Sequence, residues 1–133
     1  MSEHVLKLSA NEKEQLLSIC SGYVKFYAAR EWKPDSVQAK AFGMLSDFTE
    51  EFKVDPLLEI TCSRVFIKLL RMHLQMTVER IVKLLERYNK LNPNVPPFEP
   101  EIIGRRKEDY INKAQAKLDA CATIMVKIEE LVG

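Results

Sequence analysis

Apolar residues recur at intervals of three and four along most of this chain, the spacing that places them on one face of an α-helix. The pattern predicts four helices, over residues of about 10–30, 36–53, 56–91 and 100–131, with a proline-rich connector over 92–100. No segment stands out by the strict alternation that is typical of a strand. We therefore expect an all-α fold, a four-helix bundle, and the 133 residues suit a single domain.

The predicted helix starts are marked by residues that can bind the free amide groups of a first turn. Ser9 opens a capping box with a glutamate three residues later. Asp35 is placed to cap the second helix. Asp55 followed by Pro56 predicts the start of the third, because a proline at the first helical position loses no hydrogen bond. The segment before Ser9, which includes His4, is expected to be a frayed terminus.

One face of the third predicted helix is apolar from end to end, and we expect it to pack along an antiparallel fourth helix. This face comprises Ile60, Ile67, Leu70, Leu74, Val78, Ile81, Leu85 and Tyr88. The residues expected to be nearly fully buried between helices three and four are Leu70, Leu74, Leu118 and Met125.

A second face of the same helix changes character halfway along. Its first half is apolar and comprises Leu58, Cys62, Val65, Leu69, Met72 and Met76. We expect helices one and two to cover this half. The second half is basic and comprises Arg80, Lys83, Arg87 and Lys90. Helices one and two are too short to cover a third helix of about 36 residues, so the hairpin of helices three and four should project beyond them as a tip.

Charge is distributed unevenly, although the formal net charge is only +1. Residues 80–107 contain seven basic and three acidic side chains, whereas residues 47–59 contain five acidic and one basic. A candidate basic binding patch at the predicted tip comprises Arg80, Lys83, Arg87, Lys90, Arg105, Arg106 and Lys107. Three interpretations stay open: a solvated face, a contact with nucleic-acid phosphates, and a contact with an acidic protein.

The residues that could carry chemistry do not follow the spacing of a known site. Cys20, Cys62 and Cys121 lack the CxxC spacing of zinc and redox sites, and His73 has no second histidine at ligand spacing. We therefore predict a non-enzymatic protein with no catalytic residue, no metal site and no cofactor. An enzymatic alternative would need a buried pocket that brings His73 next to Cys62 or Cys121.

The same features favour an intracellular protein. No run approaches the roughly 18 apolar residues that span a bilayer, and the first eight residues lack the apolar core of a signal peptide. Three cysteines, an odd number, suit a reducing compartment. We expect a cytoplasmic location, with the nucleus or a virion as alternatives, and no membrane contact.

The sequence favours an interaction role over an enzymatic one. The leading hypothesis is a non-enzymatic helical protein–protein interaction module, an adaptor or a small subunit of a larger assembly. The alternative is a nucleic-acid-associated protein that binds the phosphate backbone through the basic tip. Trp32 and Phe98 lie beside prolines in the connecting segments, where they are either candidate anchors for a protein partner or packing at a hinge. Self-association is a further alternative.

Overall fold

A bundle of four α-helices forms most of the molecule. The computed structural model describes residues 3–90 and 100–132, without the side chains of 3, 88–90, 100–108 and 110. The helices are α1 (Ala10–Ala28), α2 (Val37–Val54), α3 (Arg64–Lys90) and α4 (Pro100–Val132). The all-α bundle predicted from the sequence is confirmed. The connector 92–99 lies outside the described residues, as do the side chains of Lys90, Arg105, Arg106 and Lys107 at the predicted tip.

The helices pack around one apolar core. α1 packs against α2 and α4, and α3 packs against α4. Arg71 near the start of α3 forms a 2.5 Å ion pair with Glu129 near the end of α4, as an antiparallel pair requires. α2 reaches α3 through side chains, and the ring centroids of Phe48 and Phe66 are 4.9 Å apart. The core includes Leu16, Leu45, Ile67, Leu70, Leu74, Ile124 and Ile128.

The face that α4 turns to the core differs by one position from the prediction. Leu70 and Leu74 of α3 are buried as expected. Leu118 and Met125 of α4 are only half-buried, so their predicted full burial is wrong. Ile124 is fully buried in place of Met125. Spacing of three and four defines an apolar arc about 100° wide, and it does not identify which residue lies at the centre of that arc.

The N-cap residues of α1 and α2 can be compared with the predicted ones. At α1 the capping box is confirmed: the Ser9 hydroxyl accepts from the Glu12 amide at 3.1 Å, and the Glu12 carboxylate accepts from the Ser9 amide at 2.8 Å. At α2 the cap is Ser36, which accepts from the Ala39 amide at 3.1 Å. The assignment of this cap to Asp35 is therefore wrong by one residue.

The third helix begins eight residues later than predicted. The Asp55 carboxylate accepts from the Leu57 amide at 2.8 Å. That bond closes a turn around Pro56 and does not start a helix. Aspartate before proline is found both in turns and at helix starts, so the pair alone does not distinguish the two. The chain then forms a strand, β2 (Glu59–Ser63), and the Ser63 hydroxyl accepts from the Phe66 amide at 3.2 Å where α3 begins.

A two-stranded antiparallel ribbon contradicts the expectation that no strand would form. β1 (Glu3–Lys7) pairs with β2, with His4 opposite Cys62 and Leu6 opposite Ile60. The buried members of the ribbon, Leu6, Ile60 and Cys62, face the helical core. The predicted fraying of the N-terminal segment, including His4, is therefore wrong. Each strand is five residues long, too short for its alternation to stand out from the helical pattern.

The two faces of β1 give a test of this correction. Leu6 is 1% exposed and its neighbour Val5 is 42% exposed. Leu6→Ala should lower the free energy of unfolding by about 2–5 kcal/mol, because it leaves a cavity where the ribbon meets the core. Val5→Ala, the matched control, should cost less than about 1 kcal/mol. Urea unfolding measures both, and equal small costs would mean that β1 does not pack on the bundle.

Candidate functional site

A buried polar cluster joins α1 to α3 and determines which side of α3 faces outward. The Tyr27 hydroxyl lies 2.8 Å from Nε2 of the buried His73, and Nδ1 of His73 lies 2.8 Å from the Leu69 carbonyl oxygen. A carbonyl oxygen can only accept, so Nδ1 carries the proton and Nε2 accepts from Tyr27. Burial lowers the pKa of His73, which keeps the ring neutral.

Two further side chains complete this cluster. The Thr77 hydroxyl donates to the His73 carbonyl oxygen at 2.8 Å, and the Tyr23 hydroxyl lies 3.2 Å from the Thr77 oxygen. The Tyr23 ring meets the His73 ring edge-on, with centroids 4.6 Å apart. These directional contacts hold residues 73 and 77 of α3 against α1. The residues immediately before them, Met72 and Met76, therefore point away from the core.

The outward face of α3 carries an exposed apolar row, which we name the α3 stripe: Val65, Leu69, Met72 and Met76. Val65 is 67% exposed, Met72 43% and Met76 41%, and Leu69 is half-buried. This is the face that helices one and two were expected to cover, and that prediction is wrong. The bonds of His73 and Thr77 to α1 turn the stripe away from it.

The second helix borders the α3 stripe without covering it. Phe48 contacts Phe66 at the start of α3. Met44 and Val37 follow Phe48 along the same side of α2 at helical spacing, with Met44 half-buried and Val37 exposed. Val37 thus leaves exposed apolar surface on this side of α2.

Basic residues follow the α3 stripe on the same side of the helix. Arg80, Lys83 and Arg87 are exposed and follow Met76 at steps of four, three and four, so they lie on the same side of α3. The Arg80 guanidinium lies 5.8 Å from the centroid of the Tyr23 ring, a cation–π contact with the buried cluster. The other members of the predicted basic patch, Lys90, Arg105, Arg106 and Lys107, have side chains outside the described residues.

The two candidate partner anchors are placed differently. Trp32 is half-buried, its indole N–H donates to the Tyr27 carbonyl oxygen at 2.9 Å, and its ring meets the Tyr27 ring edge-on. This geometry favours the packing alternative, and an anchoring role for Trp32 stays a prediction. Phe98 lies outside the described residues.

A buried carboxylate, that of Glu12, joins α1 to α4, and the sequence analysis did not predict this role. Glu12 accepts from the Thr123 hydroxyl at 2.7 Å and pairs with the Lys127 ammonium at 2.5 Å. Burial raises the pKa of Glu12, but the hydrogen bonds from Lys127, Ser9 and Thr123 outweigh it, and the pKa falls from 4.5 to about 2. A carboxyl with so low a pKa is a poor general acid or base near neutral pH.

The shallow cleft beside this carboxylate, about 410 Å³, is lined by the same pairing residues and by Asn11, Asp119 and Ala120. The signal that could have revealed the pairing is the i, i+4 spacing of Thr123 and Lys127 on α4. That spacing is common on exposed helix faces, so it identifies no partner by itself. We interpret Glu12 as a link between helices.

The three cysteines do not resemble nucleophiles. Burial raises the pKa of Cys20 to about 12 and that of Cys62 to about 11, and the Cys121 thiol is raised to about 11 in the same way. The thiolate is the reactive form of cysteine. Both ring nitrogens of His73 are already bonded, to Tyr27 and Leu69, which leaves neither of them directed at a thiol.

Among the residues described, no three histidine, cysteine, aspartate or glutamate side chains are grouped so that they could hold a metal ion. Over the same residues, no helix is both long and apolar enough to cross a bilayer.

Comparisons with protein-family models, curated proteins and solved structures find no match to this chain. The α3 stripe with its basic end is therefore the feature on which a functional argument can be built.

The Glu12 link predicts a specific dependence on pH. The carboxyl has a lower pKa folded than unfolded, so its contribution to stability is present above about pH 4.5 and is lost as the pH falls to about 2. Glu12→Gln should lower the free energy of unfolding by about 2–3 kcal/mol at pH 7, and by progressively less below pH 4.5. Glu14→Gln, on the exposed side of the same helix, is the control. A Glu12 effect of the same size at pH 7 and pH 2.5 would contradict the assignment.

Proposed function

We propose that this chain is a non-enzymatic helical protein–protein interaction module, an adaptor or small subunit of a larger assembly, which contacts its partner through the α3 stripe. The observation that supports this proposal is the exposure of Val65, Met72 and Met76 in a row on one side of a helix whose adjacent side is held by buried hydrogen bonds. Apolar residues at intervals of three and four on an exposed face are typical of a helix that packs against a partner helix.

The composition of the α3 stripe supports contact with another protein. Methionine has three rotatable bonds and a polarisable sulfur atom, so it adapts to different apolar surfaces. Polar residues in place of Val65, Met72 and Met76 would be compatible with the fold, because these three side chains are largely exposed. The buried thiols suit the reducing cytoplasm in which we propose that the module acts.

The nucleic-acid alternative is favoured by one observation, the shared exposed face of Arg80, Lys83 and Arg87. Three cations on one face could neutralise about three phosphates. That interpretation assigns no role to Met72 and Met76, whereas a protein partner can contact the methionines as well as the cations. We therefore rank the protein partner first.

Site-specific crosslinking tests the proposed function. A photoreactive amino acid in place of Met72 should form covalent protein adducts in cells of the protein's source, because that position lies in the contact. The matched control is the same replacement at Val126, an exposed apolar position on α4. Adding Met76→Glu should abolish the adduct from position 72 while changing the free energy of unfolding by about 0.5 kcal/mol or less.

Nuclease treatment separates the two candidates in the same experiment. Protein adducts that survive nuclease support a protein partner, and adducts of nucleic acid alone would favour phosphate binding. Equal adduct formation from positions 72 and 126, or none from position 72, would contradict the proposed function.

A further inference from the structure

We infer that the partner of the α3 stripe is a second copy of this chain, with the two α3 helices antiparallel about a twofold axis that passes between Met72 and Met76. This inference rests on the proposed function of the α3 stripe. A twofold interface uses the same patch on both copies, so the patch must be complementary to itself. Two properties of the α3 face meet that requirement: its apolar centre, and a pair of opposite charges on one flank.

The apolar centre of the face is symmetric in position. Residue 74 lies midway between Met72 and Met76, and Val65 and Lys83 each lie nine residues from it. At 1.5 Å per residue, both are about 13 Å from the proposed axis. In the antiparallel pair, Met72 of each copy meets Met76 of the other. The aliphatic stem of Lys83 would pass over the partner's Val65, with its ammonium group beyond the apolar contact.

The cations lie at one end of the face. Arg80, Lys83 and Arg87 occupy this end and are exposed. A parallel pair would place these cations of the two copies beside one another, which disfavours it. An antiparallel pair places them at opposite ends of the contact.

One flank of the α3 stripe carries Lys68 and Glu79, both exposed. At 100° per residue they lie within about 20° of each other around α3, so they belong to the same flank. In a pair related by a twofold axis perpendicular to both helices, this flank of one copy lies beside the same flank of the other copy. Lys68 lies six residues before residue 74 and Glu79 five residues after it, so each lysine faces the partner's glutamate. The arrangement contains this pair twice.

An acidic helix from an unrelated protein is the competing occupant. It would complement Arg80, Lys83 and Arg87, but it would meet like charge at Glu79 on the flank. A second copy in the antiparallel arrangement pairs both Lys68 and Glu79 with residues of opposite charge. The charges on the flank therefore favour self-association over the unrelated helix.

Sedimentation equilibrium of the full chain tests the inference. Between about 1 and 300 µM, a range that covers weak and moderately tight dimers, the mass should rise from 15.4 kDa towards twice that value. Met72→Glu with Met76→Glu should keep the chain monomeric throughout. Val126→Glu on α4 should leave the dissociation constant unchanged.

Charge reversal tests the antiparallel register. Lys68→Glu places two like-charge pairs across the interface and should weaken dimerisation about tenfold. Adding Glu79→Lys should restore the dissociation constant to within about threefold of wild type, since the pair is then reversed. Circular dichroism spectra that match wild type show that each variant folds. Rescue of this kind would not follow from loss of helix stability.

Two outcomes would overturn the inference. One is a wild-type chain that stays monomeric up to 300 µM, and the other is a dimer that Met72→Glu with Met76→Glu leaves intact. Failure to restore dimerisation in the Lys68→Glu, Glu79→Lys variant would overturn the register. A monomeric chain that still forms adducts with a different protein from position 72 would refute self-association while leaving the proposed function in place.

Discussion

The hydrogen bond between Tyr27 and the neutral ring of His73 is the contact on which the arrangement of this bundle depends. Apolar packing alone tolerates small rotations of a helix, because it has little directional preference. A buried ring nitrogen that loses its partner costs about 1–3 kcal/mol, so this bond disfavours other rotations of α3. With His73 and Thr77 held against α1, Met72 and Met76 face outward. The exposure of the α3 stripe thus follows from a polar contact on an adjacent side of the helix.

Contacts at the other end of the bundle hold the surrounding elements. Glu12 links α1 to α4 through Thr123 and Lys127, and the β1–β2 ribbon packs Leu6 under the helices. α2 packs on α1 and reaches α3 at Phe48. The face of α3 beyond that contact is exposed at Val65, Met72 and Met76. A firmly packed helix with a free apolar side needs little ordering on binding, which lowers the cost of association.

Much of the fold could be predicted from the sequence, because helix periodicity and the Ser9 capping box are local signals. The β ribbon could not, since Asp55 before Pro56 closes a turn as readily as it caps a helix, and the pairing of β1 with β2 is a long-range contact. The basic end of the α3 face was predicted from spacing alone. The exposure of Val65, Met72 and Met76 was missed, because spacing shows which residues share a face but not whether a neighbouring helix covers it.

Methyl NMR of the methionines tests the central claim most directly, that the α3 stripe is the surface on which two copies meet. With ¹³C-methyl methionine, the resonances of Met72 and Met76 can be followed through a dilution series beside that of the half-buried Met125 on α4. The account predicts that the Met72 and Met76 signals shift or broaden with concentration while Met125 stays constant. Signals from Met72 and Met76 that do not change, or that change no more than Met125, would contradict it.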